Sequence, residues 1–388
     1  MPVCNTRVFT ILLALLTFTS SLHAVQILEP EPDERHWAFG LSSQIIDDTA
    51  IFYNDFRLYS YDLNTGNRNF HFVNNEYNTD GFVRVASHNN YTIATNSFDS
   101  NTIPTATIFN THTGEVIKSL TPEIAPLFST GGYALDVHNT TAIRGNYNDD
   151  EFGEGAGAAY IMDFSDPNNI TEFKITPSDA TQKTGFGRAV AIKDHYAVVS
   201  TKYSEVYIYN FADPDNIIET KINNTILTGG WFGRDIDISG DTAIVAAPHI
   251  SGELGGVGLF DITTGDQIDE LLLLSDSWEF GNNVAIHGNY ALVTGPNDSL
   301  GRSTVQLIDL STKTLLHTFN TEAGRIFHDF TLSDEHILLS SALNPHFALL
   351  DDDSKTFHYR LSEIIPEPTS LALLSLSSLV LLTRKRSN

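Results

Sequence analysis

The sequence is poor in cysteine and in positive charge. Its 388 residues contain one cysteine, Cys4, which lies in an N-terminal segment that we expect to be removed. A mature chain without thiols has no disulfide framework, no cysteine-bound metal and no thiol nucleophile. Only 22 lysines and arginines oppose 48 aspartates and glutamates, which gives a formal net charge of −26. Because such an acidic surface repels polyphosphate, nucleic acid is not expected as a partner.

The linear motifs of common enzymes are also missing. The sequence has no G-x-S-x-G nucleophile elbow, no P-loop and no H-E-x-x-H zinc motif. The glycine-rich stretch at 153–157 does not fit the dinucleotide-binding pattern. With 41% hydrophobic and 11% aromatic residues, the chain nevertheless has enough apolar material for a packed core. We therefore expect a folded protein that is not an enzyme and needs no cofactor.

The first 24 residues have the three parts of a secretory signal peptide. Arg7 supplies the positive charge, residues 8–19 form an apolar run, and a polar stretch then ends on the small residue Ala24. We expect cleavage after Ala24. An uncleaved anchor helix is the alternative, but the run is shorter than the ~20 residues that span a bilayer.

The C-terminal end, residues 364–388, carries a second targeting segment. Pro366, Glu367 and Pro368 precede an apolar stretch at 371–382. Three basic residues follow near the end of the chain: Arg384, Lys385 and Arg386. In this order, the three parts resemble the PEP-CTERM sorting tail.

The resemblance to PEP-CTERM tails implies a Gram-negative bacterium, export by the secretion machinery, and processing near Pro-Glu-Pro by an exosortase. It also implies transient insertion of a short transmembrane helix and delivery to the cell surface or extracellular matrix. As a helix, residues 369–383 would span ~22 Å, which is less than the ~30 Å hydrocarbon core of a bilayer. That length suits a temporary anchor, and a permanent membrane anchor is the alternative.

Between these ends, residues 25–363 repeat themselves about every 48 residues. One landmark is an apolar strand that closes on Asp or Asn before a polar turn. It occurs at Asp62, Asn110, Asp163, Asn210, Asp261, Asp309 and Asp351. A second landmark is a strand, a polar turn and another strand, often after an aromatic-Gly pair. Its copies align on Thr49, Tyr91, Thr141, Tyr196, Thr242, Tyr290 and His336. Both landmarks indicate seven units.

Each unit contains four short strands separated by turn residues. In the fifth unit the strands are 234–238, 242–247, 256–262 and 267–274. Four-stranded units of this length, repeated seven times, predict an all-β fold, a seven-bladed β-propeller. A β-solenoid coil is shorter than these units, and a β-sandwich is longer.

Several units open on a Phe-Gly pair, and two of them continue with small-residue steps at 246–248 and 294–296. These features resemble FG-GAP repeats, which form the propellers of integrin α-subunits and of many bacterial surface proteins. The resemblance implies that the strand after Phe-Gly lines a central channel and that each Phe wedges between blades. Trp37, Trp231 and Trp278 precede such pairs, and we expect them to help fill the same seams.

A propeller also has to be closed by pairing the strands of its last blade. Residues 24–30 and residues 356–361 both have the pattern of an outer strand. The sequence does not decide which of the two segments closes the ring.

The residue after each aromatic-Gly pair is expected near one mouth of the channel. In blades four to six these residues are Arg188, Arg234 and Asn282, and in blade seven His328 has the equivalent place after Phe327. Cations and donors on adjacent blades of an acidic protein predict a site for a carboxylate or sulfate group. The alternative is that each arginine stacks on an aromatic ring or pairs with a nearby aspartate.

FG-GAP repeats often bind calcium through an aspartate-rich loop between the second and third strands. The loop in that position contains Asn148, Asp149 and Asp150, although its spacing departs from the D-x-D-x-D-G form. The stretch 76–81 has the better spacing, but it begins with Glu and lies elsewhere in its unit. The loop at 148–150 is therefore the candidate Ca²⁺ site, and a solvated acidic loop is the alternative.

The sequence thus predicts an exported protein of the cell surface or extracellular matrix. Its expected role is binding or structural, with a protein or a polysaccharide as partner, because rigid scaffolds with variable loops suit recognition. A propeller hydrolase or lyase that acts on polysaccharide is one alternative, and it would gather carboxylates or histidines with perturbed pKa values in the channel. A membrane-anchored periplasmic assembly protein is another, and it would keep residues 366–388.

Overall fold

The fold is a closed ring of seven sheets in a computed structural model. The model describes residues 26–28, 42–54, 57–73, 82–96, 106–121, 134–223, 231–250, 254–272, 280–295, 302–322, 324–343 and 354–365. Each sheet has four antiparallel strands, and its innermost strand contacts the innermost strand of the next sheet. Since the innermost strands of the seventh and first sheets also touch, the ring is complete. The predicted seven-bladed β-propeller is confirmed.

The strands follow the chain from blade to blade. The segment before the first blade forms β1 (Gln26–Leu28). Blades one to three contain β2 (Ser42–Ile46), β3 (Thr49–Asn54), β4 (Arg57–Asp62), β5 (Arg68–Val73), β6 (Phe82–His88), β7 (Tyr91–Asn96), β8 (Ala106–Asn110), β9 (Val116–Leu120), β10 (Ala134–His138), β11 (Thr141–Asn146), β12 (Ala158–Asp163) and β13 (Thr171–Ile175). Blades four to six contain β14 (Val190–Lys193), β15 (Tyr196–Ser200), β16 (Val206–Asn210), β17 (Ile218–Lys221), β18 (Ile236–Ser239), β19 (Thr242–Ile250), β20 (Leu254–Asp261), β21 (Gln267–Leu272), β22 (Val284–His287), β23 (Tyr290–Gly295), β24 (Thr304–Asp309) and β25 (Thr314–Asn320). Blade seven contains β26 (Arg325–Leu332), β27 (His336–Leu343) and β28 (Lys355–Arg360), and a short helix follows, α1 (Leu361–Ile364).

Within blades one to six, the strands run outward from the channel in chain order. The turns that join first to second strands and third to fourth strands therefore share one side of the ring, which we call the lower face. The loops that join second to third strands, and one blade to the next, lie on the opposite side, the upper face. Residues can therefore form a common site only if their turns or loops lie on the same face of the ring.

The turns of the lower face are built from residues that hydrogen-bond their own backbone. Asp261 accepts hydrogen bonds from the backbone N–H groups of Thr263 (2.7 Å) and Thr264 (3.1 Å). Gly265 then takes a φ of 80°. The same side-chain turn recurs at Asp62, Asn110 and Asp309. An acceptor side chain followed by a residue that tolerates positive φ reverses the chain, which explains the periodic Asp and Asn landmark.

The apolar core lies in the seams between neighbouring blades. Phe186 opens blade four, is fully buried, and packs with residues of blade three. Its ring meets Tyr207 and Tyr209 edge-on, with centroids 5.9 Å apart in both pairs. Phe232 and Phe280 fill the next two seams in the same way. At these three positions the Phe of the Phe-Gly pair wedges between blades as expected, and burial of each ring contributes ~1.5–3 kcal/mol.

The glycine of the pair allows two blades to touch through their backbones. Gly187 has a φ of 87°, and a Cβ atom there would lie 2.2 Å from the carbonyl oxygen of Ala158. On the other side of this contact, a Cβ atom on Gly145 would lie 2.1 Å from the carbonyl oxygen of Gly187. Phe186 donates its backbone N–H across the same seam to Ala156 (3.0 Å). Only glycine permits so close an approach at this backbone angle.

The N-terminal strand closes the ring. β1 pairs with β28 as the outermost strand of blade seven, with Ile27 opposite Phe357. Of the two segments that could have closed the propeller, the N-terminal one does so, and β28 is the third strand of its blade. Leu28 is 2% exposed and packs with Leu338 and with residues of blade one.

The chain after β28 still belongs to the propeller. Leu361, Ile364 and Ile365 pack against the core between blades six and seven, slightly beyond the boundary expected at residue 363. In the part of the chain that the structure describes, no helix combines the length and apolar character needed to cross a bilayer. The signal peptide at 1–24 and the sorting tail at 366–388 lie outside the described residues and remain predictions.

One prediction about the seams is wrong. Trp231 is 48% exposed, because the ring of Phe232 already fills the seam between blades four and five. Trp231 lies instead over the guanidinium group of Arg234, at 5.7 Å from its ring centroid. Trp37 and Trp278 lie outside the described residues.

Candidate functional site

The innermost strands of all seven blades surround a central channel with a volume of about 1270 Å³. Its wall includes all four residues expected at the mouth: Arg188, Arg234, Asn282 and His328. The structure therefore brings the four predicted residues into one cavity, and their binding role remains a prediction.

Aspartates of the innermost strands bridge neighbouring blades. Asp136 accepts a hydrogen bond from the backbone N–H of Ile192 (2.8 Å), and Asp237 accepts one from Ile286 (2.7 Å). Asp235 and Asp329 make equivalent bonds to blades six and one. An innermost strand is a sheet edge with unpaired N–H groups. The carboxylates satisfy these groups and join the innermost strands of neighbouring blades.

The same carboxylates have unusual pKa values. Burial raises the pKa values of Asp136, Asp237 and Asp329 to about 7, although their backbone N–H donors oppose the shift. Burial also raises the pKa of Asp235. Loss of water disfavours the charged form of a carboxyl group. Near neutral pH, the channel wall therefore carries less negative charge than its composition suggests.

Two arginines lie side by side at the upper end of the channel. Burial, together with the charge of Arg234, lowers the pKa of Arg188. Arg234 donates from Nε to Oδ1 of Asn282 (3.1 Å) and stacks on Trp231, so the stacking alternative holds for this arginine. The Arg188 guanidinium makes no hydrogen bond or ion pair with any residue that the structure describes. Two like charges held together in this way form an attractive site for an anion.

His328 lines the same channel and lies in a bulge of β26, between Phe327 and Asp329. Both of its ring nitrogens are buried and have no hydrogen-bond partner among the described residues. Burial, reinforced by the charge of Arg84, lowers the pKa of His328 to about 4, so the ring is neutral at neutral pH. An unsatisfied buried polar group costs ~1–3 kcal/mol. A ligand that hydrogen-bonds His328 would recover part of that cost.

Three exposed aromatic rings stand on the upper face of blades three to five, and we call them the aromatic row. They are Phe152, Tyr203 and Trp231, with exposed fractions of 53%, 61% and 48%. Each ring has a cation near its centroid: Lys174 at 5.6 Å, Lys202 at 5.9 Å and Arg234 at 5.7 Å. Tyr203 and Trp231 are neighbours, because the backbone N–H of Trp231 donates to Ser204 (2.8 Å). Exposed rings beside cations suit an apolar ligand surface that also carries negative charge.

The aromatic row is not among the residues predicted from the sequence. Its one sequence signal is that each ring lies in a loop of the upper face, next to or within two residues of glycine or lysine. Many residues in the sequence share that signal, so the aromatic row can be recognised only once the arrangement of the blades is known.

The candidate calcium loop of blade three is occupied by protein donors. Lys174 lies 2.7 Å from Oδ1 of Asp149, and the hydroxyl of Tyr160 donates to the other oxygen. Asp150 accepts a hydrogen bond from the backbone of its own loop (2.6 Å). A calcium ion needs several free oxygen ligands around one point. The geometry of the loop that contains Asn148, Asp149 and Asp150 therefore adds no support to the calcium prediction.

The model of the FG-GAP repeat family matches residues 171–206 of this chain. This segment runs from the outermost strand of blade three to the start of the third strand of blade four, and it contains the Phe186-Gly187 pair. The match supports the resemblance drawn from the repeated sequence. No curated protein matches the chain.

Several solved structures have a similar fold. The computationally designed Ika8 protein has 14% identity and a TM-score of 0.52, with 84% of this chain and 98% of that chain covered. Raptor from Chaetomium thermophilum has 11% identity and a TM-score of 0.58, with 83% and 28% covered. The Cps50 (Swd1) β-propeller domain of Myceliophteria thermophila has 10% identity and a TM-score of 0.58, with 86% and 98% covered. At such low identities the likeness shows the propeller fold alone.

Proposed function

We propose that this chain is an exported protein of the cell surface or extracellular matrix that binds an acidic polysaccharide. The observation that carries the proposal is the pair Arg188 and Arg234 beside the exposed ring of Trp231. The propeller scaffold and the FG-GAP match support a binding role in general. The two terminal segments support export.

Polysaccharide fits the upper face better than a compact ligand does. The aromatic row extends over three consecutive blades, which gives an extended chain several places to stack. Paired guanidinium groups suit the carboxylate groups of a uronic acid. In a protein of net charge −26, a group of cations around one mouth also directs an anionic chain to that mouth. A rigid ring keeps the ordering cost of binding low.

The hydrolase or lyase alternative rests on the carboxyl groups with pKa values of about 7. These are the perturbed groups that an enzyme of this kind would need. In Asp136 and Asp237, however, both oxygens accept backbone N–H groups, at 2.7 to 2.8 Å. A carboxylate that holds two strands together is poorly placed to exchange protons with a substrate. We therefore favour binding over catalysis.

The double substitution Arg188→Ala with Arg234→Ala tests the binding site. We expect its affinity for polygalacturonate to fall at least tenfold, ~1.4 kcal/mol, because both guanidinium groups that receive the carboxylate are lost. Isothermal titration calorimetry at low salt measures the effect, and the wild-type affinity should fall as salt rises.

A matched control removes two positive charges from the lower face, with Lys193→Ala and Lys313→Ala. Lys193 ends the innermost strand β14 at the lower face, and Lys313 lies in a lower-face turn. Each pairs with an aspartate. This variant should bind polygalacturonate like the wild type. An equal loss of affinity in both variants would show that net charge alone explains the effect, and it would reject the site. Release of shorter oligosaccharides by the wild-type protein would instead favour the hydrolase or lyase alternative.

The export proposal has its own test, which is the intact mass of the protein purified from its native cells. We expect a chain that starts at Val25 and ends near Pro366, because the signal peptide and the sorting tail are both processed. A mass that includes residues 366–388 would instead favour the membrane-anchored alternative.

A further inference from the structure

A chain of hydrogen bonds crosses the seam where the ring closes. His336 of β27 is 1% exposed, and its Nε2 lies 2.8 Å from Oδ1 of Asp48 in the lower-face turn of blade one. Its Nδ1 lies 3.0 Å from Nε2 of His358, and Nδ1 of His358 lies 2.9 Å from Oε1 of Gln26 in the closing strand. Blade seven, blade one and the N-terminal strand therefore meet at this pair of histidines.

These hydrogen bonds hold the ring of His336 in one orientation. Its Nδ1 faces His358 inside blade seven, and its Nε2 faces the exposed carboxylate of Asp48. A ring nitrogen and a carboxylate oxygen 2.8 Å apart share a proton. A divalent ion that binds such donors displaces that proton.

The carboxylate of Glu335 is a third potential metal donor near His336 and Asp48. Glu335 is adjacent to His336 in the lower-face turn of blade seven, and one carboxylate oxygen each of Asp48 and Glu335 and one ring nitrogen of His336 lie within 4.8 Å of one another. Among the described residues, this is the one such grouping of three donors. The Glu335 carboxylate makes no hydrogen bond or ion pair within the described part of the chain.

We propose that Asp48, Glu335 and His336 bind a divalent transition-metal ion of the Zn²⁺ class. One imidazole nitrogen with two carboxylate oxygens is a donor set that zinc accepts, with ligand distances of ~2.0–2.2 Å. The histidine is fixed by the core, while both carboxylates are at the surface and rotate toward an ion on Nε2. The bond from His336 to His358 then orients the ligand ring, as outer-shell partners of metal-bound histidines do.

The position of this site gives the ion a structural role. Asp48 belongs to blade one, whereas Glu335 and His336 belong to blade seven. An ion shared by them links the two blades across the closing seam. This inference concerns the lower face and does not depend on polysaccharide binding at the upper face.

Titration of chelator-treated full-length protein with Zn²⁺ tests the proposal, with calorimetry and the thermal unfolding midpoint as readouts. We expect one saturable site and a rise in the midpoint, since an ion that binds only the folded state stabilises it. Glu335→Gln leaves the hydrogen-bond chain intact, and it should weaken Zn²⁺ binding at least ~10-fold. Asp48→Asn should weaken it similarly.

The matched control is Asp47→Asn. Asp47 is exposed in the same turn as Asp48, and its φ of 50° is one that Asn tolerates. It should bind Zn²⁺ like the wild type. The proposal is overturned if Zn²⁺ does not bind saturably, or if Glu335→Gln binds it with unchanged affinity. It is also overturned if only Asp48→Asn changes stability and Zn²⁺ has no effect, because a proton then holds the place between His336 and Asp48.

Discussion

Replacement of Gly187 by Ala should destabilise the propeller by about 2–5 kcal/mol. The added methyl group would meet the carbonyl oxygen of Ala158 at 2.2 Å and the backbone nitrogen of Asn146 at 2.8 Å. Both atoms belong to the backbone of blade three, so neither can rotate away. The φ of 87° adds strain for any residue with a Cβ atom. Urea unfolding, followed by far-ultraviolet circular dichroism, measures the loss.

Gly288→Ala is the matched control for this prediction. Gly288 also has a positive φ, 55°, but a Cβ atom there would meet no atom within 4 Å. It therefore carries the backbone strain without the contact and should cost only ~1–2 kcal/mol. Equal losses in the two variants would show that φ alone matters, and that the approach of blades three and four at Gly187 is not a tight contact.

Above pH ~6.5, stability should fall as the pH rises to about 8. Below that pH, the histidines with a folded-state pKa of about 4, His88, His328 and His358, oppose the effect of the channel aspartates. The folded-state pKa of Asp237 is about 7, whereas an unfolded aspartate has a pKa of ~3.9. Between these values Asp237 binds more protons in the folded chain than in the unfolded chain, so its contribution to stability falls as the pH rises. Asp136 and Asp329 act in the same direction. Unfolding free energies at pH 5, 6, 7 and 8 measure the slope.

Asp237→Asn should make this slope shallower by up to one proton, ~1.4 kcal/mol per pH unit. The control is Asp261→Asn in the lower-face turn of the same blade. Hydrogen bonds from the side chain and backbone of Thr263 lower the pKa of Asp261, so it is charged in both states throughout this range. The contribution of Asp261 to stability is lost only as the pH falls below ~3.9, the pKa of an unfolded aspartate. An unchanged slope in Asp237→Asn would contradict the assignment of the effect to the channel aspartates.

The repeat could be predicted because its chemistry is local. Several lower-face turns use an acceptor such as Asp261 and a glycine such as Gly265 within a few residues. Several seams use a Phe-Gly pair such as Phe186 and Gly187. Because these short patterns recur from blade to blade, the repeat of about 48 residues is visible in the sequence. Trp231 was misplaced because Phe232 and Phe260 already fill this seam, which the sequence does not show.

The contacts that were missed depend on how blades are placed around the ring. Asp136 bonds Ile192 across 56 positions, and nothing in either short segment indicates the other. The mouth residues could be predicted because they share one position in the repeat. The aromatic row could not, since Phe152, Tyr203 and Trp231 occupy loops of different kinds. The closing strand was undecided for the same reason, because β28, with which β1 pairs, is distant in the sequence.

The closing strand also sets an order of events during biosynthesis. Gln26 and His358 are 332 positions apart, so the first strand of the ring to be made is the last to be paired. In an exported chain, β1 therefore has no partner until all seven blades have crossed the membrane. During that time it is an unsatisfied strand that other edges could capture. With three residues, it is too short to form a stable pairing with a wrong partner, and it becomes secure only when the seventh blade arrives.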